Sequence, residues 1–151
     1  MTRVSRQVVV AAPPEEVFAA LADADAHPRW RPAVESFRLL GGEPPLALGS
    51  RIEEVVRYRG KEYRSVLEVV RFEPRRAVEF RALEAVFPFT LAAELGPEGP
   101  ASTRFRFVLD FERPRVWGIP VPFFGALMGR SMQEEAEGLK ELVEAASDDR
   151  R

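Results

Sequence analysis

The stretch "VPFFGALMGRSMQEEAEGLKELVEAA", Val121 to Ala146, decides the fold. At about 100° per residue, Phe124, Met128, Met132, Leu139, Leu142 and Ala146 fall in one narrow stripe, while Glu134, Glu137, Lys140, Glu141 and Glu144 lie off it. This is the one long amphipathic helix of the chain. Most of its stability has to come from an apolar surface to lie on.

That surface is supplied just upstream. In "TRFRFVLDFE", Thr103 to Glu112, the residues Phe105, Phe107, Leu109 and Phe111 alternate with Arg104, Arg106, Val108 and Asp110. One face is therefore aromatic and the other mostly wet, the mark of an antiparallel sheet covered on one side. Working further back, "VESFRLLGG", "GSRIEEVVRYRG", "KEYRSVLEVVRFEP", "RRAVEFRALE" and "FPFTLAAEL" read as strands separated by turn residues, with Gly60 between the two arms of a hairpin. At the start, "RVSRQVVVA" alternates as another strand. It leads into "APPEEVFAALAD", a short helix whose prolines and glutamates suit a helix N-terminus. Between that helix and the second strand lies "DADAHPRWRP", Asp23 to Pro32, which holds the single histidine. Pro28 and Pro32 interrupt regular helix there, leaving room for one helical turn. Trp30 is expected to pack under the sheet edge. His27 has no visible partner and is expected at the surface or as a cap, not as a catalytic group.

The order of elements is one strand, one or two short helices, six strands and a long helix. It predicts an α+β fold in which a curved antiparallel sheet of about seven strands wraps a C-terminal helix. A single domain over residues 1–146 is expected, with 147–151 a flexible tail.

Composition narrows the function classes. The chain has 151 residues and a formal net charge of -2, its arginines interleaved with glutamates, so nothing favours nucleic acid. With no cysteine and one histidine, disulfides, thiolate catalysis and the usual zinc and iron ligand sets drop out. Neither a phosphate-binding glycine loop nor a nucleophile elbow is present. No cofactor and no metal is expected. The apolar runs are too short for a signal-peptide core or a membrane span, which predicts a cytoplasmic protein, monomer or homodimer.

The opening strand into "APPEEVFAALAD", the "HPRWRPAV" passage, the "FEPRRAVEF" turn and the terminal "EEAEGLKELVEAA" together resemble the helix-grip fold of the START and pollen-allergen-like superfamily. The likeness is strongest to its bacterial SRPBCC branch of polyketide cyclase/dehydrase and lipid-transport proteins, and it covers roughly Arg3 to Ala146. It implies an elongated, mostly apolar cavity between sheet and last helix, and no universal catalytic residue. Proteins of this kind carry lipids, sterols, quinones, plant hormones or polyketide intermediates; some are cyclases or aromatases, and others are protein-binding accessory factors.

Candidate lining residues are Phe87, Phe89, Phe105, Phe107, Phe111, Phe124, Met128 and Met132, about half of them expected to be plain core. Tyr58 and Tyr63 flank the Gly60 hairpin and offer hydroxyls, although cross-strand packing is their commoner use. Glu135 is the most informative residue because it sits inside the apolar stripe, where an unpaired carboxylate is expensive. It is either paired with a sheet arginine such as Arg57, Arg64 or Arg81, or held as an acid, a base or a head-group anchor. Glu54 and Glu68 are expected on the solvated face.

Three functions remain open. The first is binding of a lipid, polyketide or quinone-like molecule. The second is a cyclase/dehydratase-type enzyme using Glu135. The third is an interaction module or quinone chaperone using Trp117 to Phe124, a segment that otherwise reads as a lid or a packed connector.

Overall fold

The computed structural model describes residues 2–112 and 120–150. In it, β1 (Thr2–Val10) is followed by α1 (Pro14–Ala22), a 3-10 turn at Ala24–Ala26 and the single turn α2 (His27–Trp30). Six strands come next: β2 (Val34–Leu40), β3 (Arg51–Tyr58), β4 (Lys61–Glu73), β5 (Ala77–Glu84), β6 (Phe89–Pro97) and β7 (Thr103–Phe111). Last comes α3 (Val121–Asp149). All seven strands pair antiparallel in the order β1-β7-β6-β5-β4-β3-β2, a meander whose first strand closes onto its last.

Local chemistry accounts for the boundaries. Pro14 sits in the first turn of α1 with Glu15 and Glu16 beside it, where a missing N–H costs nothing and negative charge meets the positive end of the helix. The β3–β4 hairpin turns on Arg59 and Gly60, both at positive φ (52° and 78°), the handedness that matches the strand twist in a two-residue loop. Along the 13-residue β4 the register slips twice, between Val66 and Leu67 and between Val69 and Arg71. Such bulges bend a strand and increase its twist, curling the sheet around the helix.

The two faces of the sheet are chemically distinct. Register pairs Leu91 with Leu109, Ala93 with Phe107 and Leu95 with Phe105, placing the apolar residues of β6 and β7 on the inner face. On the outer face, directly opposed residues carry opposite charges: Arg3 with Asp110, Arg106 with Glu94, Arg81 with Glu68, Arg38 with Glu53, and Arg57 with Glu62. Each such exposed pair is worth well under about 1 kcal/mol, and together they keep the convex surface wet and self-neutralised. Glu68 belongs here, as expected for a solvated residue.

Helix α3 packs on β1, β7, α1 and α2. Its buried residues are Phe124, Gly129, Met132, Glu135, Ala136, Leu139, Val143 and Ser147. The burial stripe is thus turned slightly from the expected one: Ala146 is exposed, and the helix continues past it to Asp149, into the segment read as a tail. Gly138 makes the crossing possible, because a Cβ at that position would lie 2.3 Å from the carbonyl oxygen of Trp30. Toward its C-terminal end α3 is tied to the β1 edge, where Glu144 accepts the Ala11 N–H at 2.7 Å and Lys140 donates to the Val9 carbonyl at 3.0 Å. Among the described residues no helix is long and apolar enough to cross a membrane.

Candidate functional site

Because α3 rests mainly on the β1 side, a cavity of about 280 Å³ opens between it and the rest of the sheet. Its walls are apolar: Val34, Val56, Phe87, Phe89, Leu91 and Leu109 face Leu127, Met128 and Met132 of α3. Tyr58, Tyr63 and Ser65 add hydroxyls from the β3–β4 hairpin, and the exposed residues Val86, Arg130 and Glu134 also border it.

One part of the lining is charged and buried. Arg31, at the end of α2, donates through Nη1 to Oε2 of Glu54 at 2.8 Å and through Nε to Oε2 of Glu135 at 3.1 Å. All three residues border the cavity, and their overall exposures are 5%, 5% and 7%. The guanidinium also lies 5.7 Å from the ring centres of Trp30 and Phe37 and 6.0 Å from that of Phe107, so three aromatic rings pack around it. Two buried carboxylates share one cation. Burial pushes the Glu135 carboxyl above the ordinary range; Arg31 pulls it back, and Glu54 pushes the same way as burial. Burial also works against the Arg31 charge, but the two carboxylates outweigh it and strengthen its hold on the proton.

This arrangement corrects two expectations. Glu135 is paired, yet its partner comes from the "DADAHPRWRP" link. Arg57, Arg64 and Arg81 point to the outer face, where they meet Glu35 and Glu62, Glu53 and Glu84, and Glu68. Glu54 is not on the solvated face. It shares the inward parity of Ile52 and Val56, and it is buried because Arg31 is there to receive it.

His27 is not at the surface but is the cap that was the other expectation, set on a carbonyl in the last turn of α1. It is 2% exposed; its ring stacks on Phe37 with centroids 4.0 Å apart and planes 3° from parallel. A carbonyl can only accept, so Nε2 carries the proton it shares with the Leu21 oxygen at 2.9 Å. Burial, reinforced by the nearby Arg31 charge, lowers its pKa to about 3, which leaves a neutral core imidazole.

Of the other sequence candidates, Tyr58, Tyr63, Phe87, Phe89, Met128 and Met132 line the cavity with Glu135. Phe105, Phe107, Phe111 and Phe124 are packed instead into solid core: Phe105 and Phe107 surround Trp30, while Phe111 and Phe124 meet edge to face at 5.1 Å. Trp117 and Ile119 of the supposed lid lie outside the described residues, and Phe123 is exposed. Arg31 is the residue that sequence reasoning missed. A signal for it existed: two acids at inward positions require a buried base, and Arg57, Arg64 and Arg81 already have outward parity. Among the described residues no three His, Asp or Glu side chains converge as a metal set.

Similarity to known proteins follows the same outline. A START superfamily protein of Mycobacterium smegmatis superposes with a TM-score of 0.79 at 21% identity, over 95% of this chain and 98% of that one. A protein of Thermus thermophilus gives 0.76 at 24% identity, over 97% and 99%. The Zhui aromatase/cyclase of a Streptomyces species gives 0.75 at 19%, over 95% and 93%. At these identities the likeness is one of fold. No curated protein sequence matches the chain. The family described as polyketide cyclase / dehydrase and lipid transport matches residues 1–144, and the chain belongs to it.

Proposed function

We propose that this domain binds a compact hydrophobic or amphipathic small molecule, of lipid, polyketide or quinone type, in the cavity between its sheet and α3. The observation that carries the reading is the cavity itself: apolar walls from both layers around a buried, hydrogen-bonded polar group. Ligand pockets combine those two features, apolar area for affinity and a few fixed polar groups for orientation. At about 280 Å³ the space falls just below the usual range of roughly 300–1,000 Å³, so the ligand is small or only partly enclosed. Family membership supports the same reading. The test is fluorescence titration with the neutral probe 1-aminoanthracene, alongside native mass spectrometry of freshly purified protein. The wild type is expected to bind the probe, and Met132→Trp, which fills the cavity from α3, to weaken binding at least tenfold. Equal binding by a folded Met132→Trp protein would sink the proposal.

A second reading has its own observation. Glu135 combines a raised pKa with access to the cavity, which is what a carboxyl needs to act as acid and base on a bound substrate in a cyclase or dehydratase. Glu135→Gln is then expected to abolish turnover of a polyketide substrate while leaving 1-aminoanthracene bound. Unchanged turnover removes the residue from the chemistry.

A further inference from the structure

The charged part of the cavity is not an anion receptor, although it contains an arginine. Arg31 already faces two carboxylates, and among the described residues the cavity border carries Arg31 and Arg130 against Glu54, Glu134 and Glu135. A ligand carboxylate entering here would have to displace a native carboxylate from Arg31 or lie beside both, in a site with an excess of negative charge. Unused valences remain on both sides, since among the described residues Arg31 Nη2 donates to no acceptor; the balance of two carboxylates to one guanidinium is what weighs against an anion. Each glutamate engages Arg31 through Oε2, and among the described residues neither Oε1 receives a hydrogen bond. Both side chains are more than nine-tenths buried, with side-chain exposures of 6% for Glu54 and 9% for Glu135. Neither Oε1 is sealed off in the interior, so each is open to accept a hydrogen bond from a donor group brought into the cavity by a ligand.

We infer that the cavity selects amphiphiles whose head group is an uncharged hydrogen-bond donor, an alcohol or a phenol, donated to Glu54 or Glu135, and that it discriminates against carboxylate head groups of the same chain length. This deepens the binding function proposed above and rests on it. The apolar walls take the tail, as they would for either ligand; only the Arg31 triad tells the two apart. Discrimination of this kind is strong because the wrong ligand leaves buried polar groups unpaired and adds a like charge.

The test displaces bound 1-aminoanthracene with 1-decanol, decanoate and decylamine at pH 8, in the wild type and in Glu135→Gln. In the wild type, decanol is expected to compete at least about tenfold more tightly than decanoate, about 1.4 kcal/mol. In Glu135→Gln the site is reduced to the balanced Arg31–Glu54 pair, and the gap is expected to shrink to within about threefold. Glu54→Gln serves the same purpose should Glu135→Gln fail to fold. Decanoate binding as tightly as decanol in the wild type overturns the inference, as does an undiminished gap in both variants. A tenfold preference for decylamine over decanol also overturns it, assigning the site to cations. Failure of the wild type to bind 1-aminoanthracene at all is a different result, which removes the binding function itself.

Discussion

Replacing Arg31 with Met tests the account of the buried triad most directly. Methionine keeps an unbranched chain among Trp30, Phe37 and Phe107 but removes the cation that Glu54 and Glu135 share. At charge separations of about 4 Å and an effective dielectric near 20, each lost attraction is roughly 4 kcal/mol in gross terms. Desolvation already offsets much of that in the native protein, and the residual cost of orphaning a buried pair is about 3–5 kcal/mol. Against a total stability of roughly 5–15 kcal/mol for such a domain, this is a large share. With a urea slope of about 2 kcal/mol per molar, the midpoint at pH 8 is expected to fall by roughly 1.5–2.5 M. The loss depends on pH with a definite sign. Arg31 is what pulls the raised Glu135 pKa back down, so without it that carboxyl stands further above its unfolded value, and the penalty is absent below the unfolded pKa and grows as pH climbs through the folded one. The midpoint deficit at pH 5 must therefore be smaller than at pH 8. The triple variant Arg31→Met, Glu54→Leu, Glu135→Leu removes all three charges and is expected to recover most of the loss. A single-variant loss under about 1 kcal/mol, or a triple variant no more stable than the single, would refute the reasoning.

Three further outcomes follow from the same structure. Since burial holds the Glu135 carboxyl above its ordinary pKa, the wild type gives up stability as pH rises from the unfolded value through the folded one; Glu135→Gln should gain on it between pH 4 and pH 8 in calorimetric Tm, and the opposite trend would contradict the assignment. His27, lowered to about 3, contributes stability above its unfolded pKa near 6.5 that is lost as pH falls below it, about 2 kcal/mol by pH 5, and His27→Phe should flatten that acid limb in urea midpoints by about one proton. Gly138→Ala should cost about 1–3 kcal/mol or more, because its Cβ meets the Trp30 backbone, whereas Gly129→Ala meets only the flexible tip of Arg6 and should lower Tm by no more than a few degrees; equal Tm losses would argue against the tight α2–α3 crossing.

Periodicity carried the strands and the long helix into view because each has one wet face, and alternation or a stripe records that directly. Phe105, Phe107 and Leu109 announce their side of β7 without help from any other part of the chain. The same logic failed for Glu54, whose parity with Ile52 and Val56 pointed inward while its charge argued outward. Parity won because a cation was waiting 23 residues away in sequence. The burial of His27 was hidden for a related reason. Its partner is a backbone carbonyl and its cover is the ring of Phe37, and neither leaves a mark in the local pattern. The division of the phenylalanines between wall and core was equally hidden. It depends on where α3 rests, and that is set by Gly138 against Trp30, not by the hydrophobicity of any one residue.

Trp30 and Arg31 are neighbours with opposite duties: one backs the crossing of α3, the other reaches into the cavity. The charged lining is thereby referenced to a close backbone contact between α2 and α3, while the border at Val86, Arg130 and Glu134 is exposed. The cavity behaves like a ruler with a fixed zero. Molecules of different length would be measured from Arg31 and would differ in how far they project past Val86, so substitutions along the walls can retune reach without disturbing the mark from which it is counted.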